Sequence, residues 1–212
     1  MADDSEPAKL PLVFRDDFAR GADHWQPTDA AAWQVVDIEG GRAYALTKQS
    51  NYKPTHRSPV NISLVRDVYV DDFTLDVRVH STSREYGHRD LCLFFGYQSP
   101  TRFYYVHFGK KTDDHANQIF IVNDAARTKI STETTPGTPW DDGWHNLRIT
   151  RSAATGAIDV YFDLPVKPVM RAVDKTFKWG RVGLGSFDDT GEFTDVRLHG
   201  RKIVPPATAP SK

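Results

Sequence analysis

Apolar and polar residues alternate along most of this chain with a period of two, in short runs separated by turn residues. Successive side chains of a strand point to opposite faces, so this alternation predicts strands with one face buried. The runs fall near 12–15, 32–37, 42–47, 62–70, 72–80, 90–97, 102–109, 117–123, 127–131, 144–151, 157–163, 181–187 and 192–199. Turn chemistry between them comes from Glu39-Gly40-Gly41, Gln98-Ser99-Pro100, Pro136-Gly137, Asp141-Asp142-Gly143 and Thr155-Gly156. Helical periodicity is almost absent. About thirteen strands in roughly 190 residues leave room for one domain. The expectation is an all-β, two-sheet antiparallel β-sandwich over residues 11–202, with Pro-, Ala- and charge-rich tails at 1–10 and 203–212.

The polar positions of three runs are unusual. Phe73 to His80 turns Asp76, Arg78 and His80 to one face. Arg102 to Gly109 (RFYYVHFG) puts Tyr105 and His107 together, behind a core row of Tyr104, Val106 and Phe108, and Gln118 to Val122 (QIFIV) adds an amide. A carboxylate, a guanidinium, a phenol and two imidazoles on one sheet face would form a floor that holds a ligand. Arg78 would bind or neutralise an anion, while His80, Tyr105 and His107 would move protons, since histidine titrates near neutral pH. The loops 84–90 and 110–117 flank these strands and place His88, Arg89, Lys110 and His115 at the rim, with Gln118 and Asp76 as further substrate contacts. His80, His88, His107 and His115 also raise a transition-metal site, although no tight ligand spacing supports it. The plain alternative is an Asp76–Arg78 pair on a solvated sheet beside ordinary surface imidazoles.

Composition narrows the partners. Net charge is −1 over 212 residues, so no global field favours nucleic acid or an anionic membrane. No apolar run approaches the ~20 residues of a membrane-spanning helix. The single cysteine, Cys92, excludes an internal disulfide, and its apolar setting (LCLFFG) marks it as a buried hydrophobe. Met1 to Pro7 reads as a trimmed mature start behind an added methionine, so a secreted or periplasmic protein is expected. Trp33 and Trp144 lie in alternating runs and are expected in the core. Trp25, Trp140 and Trp179 stand beside turns, where an indole stacks on a sugar or lies under a loop.

Several segments resemble the concanavalin A-like lectin/glucanase superfamily. Val13-Phe14-Arg15-Asp16-Asp17-Phe18, with Trp25 and Trp33 following, resembles the "DEF…W" opening of laminarinase-type β-glucanases. Asp142 to Ile149 (DGWHNLRI) resembles the "G-W-H-x-L-x-I" strand of laminin-G-like domains, and Phe193 to Leu198 the closing "D-x-V-R-V" strand. Leu91 to Tyr105 is similar to a stretch of bacterial laminin-G-like and 3-keto-disaccharide hydrolase-like domains. The resemblance implies a concanavalin A-like jelly roll, a poly- or oligosaccharide partner, and a structural Ca²⁺ held by Asp17, the Gly41 carbonyl and Asp195. The glucanase E-x-D-x-E run is absent, so a two-carboxylate mechanism is not expected. A carbohydrate-active enzyme remains the leading expectation, by hydrolysis or by His/Tyr/Arg-assisted β-elimination, centred on Arg78, His80, Tyr105 and His107. The alternatives are a non-catalytic glycan-binding module and, behind it, an adhesion domain with a protein ligand. The sequence leaves the sugar and the oligomeric state open.

Overall fold

The alternation folds as expected. A computed structural model describes residues 10–163 and 166–206, so residues 1–9 and 207–212 of the expected tails lie outside the described residues. In chain order the strands are β1 (Leu12–Asp16), β2 (Trp25–Pro27), β3 (Trp33–Ile38), β4 (Gly41–Leu46), β5 (Asn61–Val65), β6 (Val70–Ser81), β7 (Asp90–Ser99) and β8 (Arg102–Gly109). They continue as β9 (Gln118–Asn123), β10 (Thr128–Lys129), β11 (Ser131–Thr134), β12 (His145–Arg151), β13 (Ala157–Phe162), β14 (Met170–Val173), β15 (Arg181–Ser186) and β16 (Gly191–Lys202). A nine-stranded sheet runs β11-β14-β13-β12-β6-β16-β4-β3, with β1 pairing β16, and a seven-stranded sheet runs β10-β9-β8-β7-β15-β5-β2. Every pairing between strands is antiparallel. This is a lectin-like jelly-roll sandwich.

The core lies between the sheets. β6 contributes Phe73, Leu75, Val77 and Val79, and β7 and β8 contribute Leu91, Leu93, Phe95, Tyr104, Val106 and Phe108. Each such apolar side chain is worth roughly 1.5–3 kcal/mol on burial, which is what fixes the facing of the strands. Phe73 and Phe95 meet edge to face across the two sheets, ring centroids 5.8 Å apart.

The sheets differ in their outer faces. β6 alternates buried and half-buried positions, as a strand with one wet face should. β7 and β8 are buried on both faces. Beyond the seven-stranded sheet lies a second apolar cluster of Ile62, Leu64, Cys92, Phe94, Tyr97, Phe103, Tyr105, Phe120 and Val122. The segment 47–60 joining β4 to β5 is tied to this face. Tyr52, Pro54 and His56 are half-buried between exposed neighbours, Ser58 and Pro59 are buried, and the Arg57 carbonyl accepts the Arg127 N–H at 3.0 Å.

The expected strand 62–70 is corrected. It ends at Val65, and Asp67 turns with φ 52 before β6 begins in the other sheet. The short or strongly polar β2, β11 and β14 were not expected, because three or four residues show too little alternation to register.

Candidate functional site

The polar floor expected from β6, β8 and β9 does not form. β6 belongs to the nine-stranded sheet, whereas β8 and β9 belong to the seven-stranded one. Asp76, Arg78 and His80 therefore face outward from one side of the sandwich, and Tyr105, His107 and Gln118 face outward from the other. Strand alternation gives the face of each strand but not the sheet it joins, and that is why the four expected catalytic residues separate. The four histidines do not gather either: His80 pairs with Glu192 at 2.9 Å on the nine-stranded side, whereas His88, 2.6 Å from Asp113, stays near His107 and His115 on the other.

On the seven-stranded side the proton-transfer groups are sealed. Tyr105 is 0% and His107 and Gln118 are each 4% exposed. Arg127 closes over them, its guanidinium carbon 4.5 Å from the Phe120 ring and 4.3 Å from the Phe187 ring, donating to the Tyr105 hydroxyl at 2.7 Å. Burial, then the Arg127 charge, lowers the His107 pKa to about 3, so the imidazole is neutral. Its Nδ1 accepts the Asn117 N–H at 3.3 Å, and its Nε2 lies 3.5 Å from Asp90 Oδ2. Asp90 is itself fully buried and held well above the usual carboxylate range, first by burial and then by Asp189 beside it. It accepts from the Cys92 thiol at 3.3 Å and the Phe187 N–H at 3.2 Å. Cys92 is an inert buried thiol, its pKa pushed up chiefly by the same burial. Burial likewise raises Tyr105 well above an ordinary phenol.

The nine-stranded side is open. A groove of about 250 Å³ is lined by Asp76, Arg78, Asn146, Arg148, Tyr161, Asp163, Asp195 and Arg197, with Val77 and Leu147 beneath. Antiparallel register builds it in rows across β16, β6, β12 and β13. Asp76 stands between Arg197 and Arg148, and Arg148 faces Tyr161. Arg148 forks onto Asp76, Nε to Oδ1 at 2.6 Å and Nη2 to Oδ2 at 3.2 Å. Arg78 meets Asp195 only at 3.9 Å. Asp195 sits in a bulge of β16 with φ 49, which turns its carboxylate into the groove wall. Trp144, expected in the core, is half-buried beside this groove, 4.8 Å from the Arg78 guanidinium and 5.4 Å from the His80 ring. It immediately precedes β12, where the inward alternation starts at His145 instead. Of the lining residues, the alternating Asn146 and Arg148 of HNLRITR carried the same period-two signal as β6. Tyr161 and Arg197 stood out by no signal of their own.

The rim residues are mostly engaged in structure. Arg89 is 1% exposed and clamps the Ser81 carbonyl at 2.8 Å, the Ser81 hydroxyl at 3.1 Å and Asp142 at 3.2 Å. It is not free to touch a substrate. Lys110 pairs with Glu85 and donates to the Trp140 carbonyl, while exposed His115 donates its backbone N–H to Asp113. Trp25 and Trp140 are 1% exposed under loops, each donating its indole N–H, to Asp16 and to the Phe108 carbonyl.

Asp17 and Asp195 line a small cavity of about 80 Å³ between the end of β1 and the β16 bulge, together with Asp16, Arg15 and Arg197. Gly41 is not among its lining residues. The two carboxylates supply the oxygen ligands a hard cation takes, yet each faces a guanidinium, Arg15 at 4.0 Å from Asp17 and Arg78 at 3.9 Å from Asp195. A cation there would displace those long pairs. Among the described residues, the one close group of three metal-capable side chains is Asp90, Asp188 and Asp189, within 4.8 Å of one another.

Solved structures share this sandwich at low identity. The carbohydrate-binding module CBM66 from Bacillus subtilis superposes with a TM-score of 0.59 at 18% identity, covering 84% of this chain and 96% of that one. Domain 4 of a GH43 extracellular arabinanase from Geobacillus stearothermophilus, solved with arabinotriose, gives 0.60 at 12% identity, covering 93% and 96%. The winged bean acidic lectin in complex with methyl-α-D-galactose gives 0.60 at 12% identity, covering 90% and 98%. At these identities the likeness is one of fold. No protein-family model matches the chain, and no curated protein matches it in sequence.

Proposed function

We propose that this chain is a glycan-binding module that holds a poly- or oligosaccharide in the groove on the outer face of its nine-stranded sheet. The observation that carries the reading is a half-buried indole, Trp144, set beside an open groove of fixed hydrogen-bonding side chains. A sugar offers hydroxyls in fixed directions and an apolar ring face. Asn146, Asp195 and Arg78 supply acceptors and donors, and Trp144 and Tyr161 supply aromatic surface. The solved complexes of like fold with arabinotriose and with methyl-α-D-galactose lend support. Bond cleavage, by hydrolysis or elimination, is the less favoured reading. Its Tyr105 and His107 are sealed under Arg127 on the far sheet, and a histidine titrating near 3 does not deliver protons at neutral pH. Such a module fits a secreted or periplasmic setting, and a structural calcium ion at Asp17 and Asp195 is a separate part of the proposal.

Glycan-array screening followed by calorimetry on the best hit tests it. Trp144→Ala is expected to weaken binding about tenfold, roughly 1.4 kcal/mol, with an unchanged melting temperature. His107→Gln should bind as the parent does. Release of reducing ends or of an unsaturated chromophore, lost in His107→Gln, would instead establish an enzyme.

A further inference from the structure

The groove holds three guanidiniums and three carboxylates, but they do not cancel where a ligand would lie. Both oxygens of Asp76 are taken by Arg148. Asp163 is engaged below, accepting the Asn146 N–H at 3.0 Å and facing His145 Nδ1 at 3.0 Å. Asp195 reaches Arg78 only at 3.9 Å, with both side chains about two-fifths exposed at 38% and 43%. Arg197, exposed on β16 opposite Asp76, has no ion-pair partner among the described residues. Two guanidiniums on neighbouring strands thus border the groove without a close ion pair, Arg78 at 3.9 Å from Asp195 and Arg197 beside the adjoining cavity that it lines with Asp16, Asp17 and Asp195. Trp144 packs against one of them, which orients the fork without neutralising it. A planar guanidinium donates two parallel N–H bonds to a carboxylate or sulfate, a geometry a lone hydroxyl does not fill.

We infer that the saccharide held in this groove carries an oxyanion, a carboxylate or a sulfate, taken by Arg197 and Arg78. The inference rests on the groove being the sugar site.

The test is an array of neutral, uronate-bearing and sulfated glycans read at low and high salt, then titration of the best hit. The expected hits are charged glycans whose binding falls as salt rises, as it does for exposed charge pairs. Uronates without sulfates, or the reverse, identify the source of the oxyanion. Methyl-esterifying a uronate hit, or desulfating a sulfated one, is expected to weaken binding about tenfold, and Arg197→Gln to bring the charged and neutral forms within about twofold of each other. Neutral glycans bound as tightly as charged ones would overturn the inference and leave the glycan-binding module standing. No glycan bound at all would remove both. A charge preference left intact in Arg197→Gln, with Arg78→Gln equally silent, would take the oxyanion away from this groove.

Discussion

Arg89 and His107 show how burial changes what a residue type can do. Both belong to polar runs that suit a substrate contact, and both are at most 4% exposed. Arg89 spends its fork on the Ser81 carbonyl and hydroxyl and on Asp142. Removing it strands buried acceptors, so Arg89→Ala is expected to cost about 3 kcal/mol in urea unfolding, with Arg89→Lys recovering only part. His107 titrates near 3 in the fold against 6.5 as its reference value. Between those limits the unfolded chain holds the extra proton. Stability is therefore complete above the reference value and drains as pH falls toward 3, at up to ~1.4 kcal/mol per pH unit. His107→Gln should flatten that acid limb in denaturation curves taken from pH 7 to 4. Asp90 works in the opposite direction: its raised pKa favours the fold while protonated, and that contribution is lost as pH rises through the folded value.

At the scale of elements, β6 and β12 were legible because five or more alternating residues fix the facing of a strand. The breaks were less so. β7 and β15 meet through a register shift between Arg181 and Gly183, opposite a β7 stretch that holds Gly96 at φ 56, and a Cβ on Gly180 just before β15 would lie 2.2 Å from the Gly96 carbonyl carbon. Only two glycines let the backbones approach so closely. Gly180→Ala should separate β15 from β7 and cost ~3 kcal/mol or more, visible as a lowered urea midpoint and faster amide exchange in both strands. The double burial of β7 and β8 had a sequence signal in LCLFFG and RFYYVHF, whose apolar residues run on without strict alternation. Tyr105 and His107 were assigned to an open floor because a strand's own sequence does not show what covers it.

Across the whole molecule, ends distant in sequence meet: β1 pairs with β16, and Asp17 and Asp195 share one cavity. If calcium occupies it, binding to the folded state alone raises stability by mass action. Millimolar calcium should then raise the melting temperature over a chelated sample, and Asp195→Asn should abolish the difference. An unchanged melting temperature would remove the ion from the account.

The period-two pattern by itself determined the all-β sandwich and the inward rows of β6 and β8, because strand facing is a local property of alternation, and the apolar run LCLFFG determined the burial of Cys92. Tertiary structure alone decided which strands share a sheet. That choice depends on long-range pairing and on cover from segments such as 47–60, which no local window contains. It placed Tyr105 within a second apolar cluster and sealed His107 beside it, and left Asp76 and Arg78 in the open groove with Trp144 at its side.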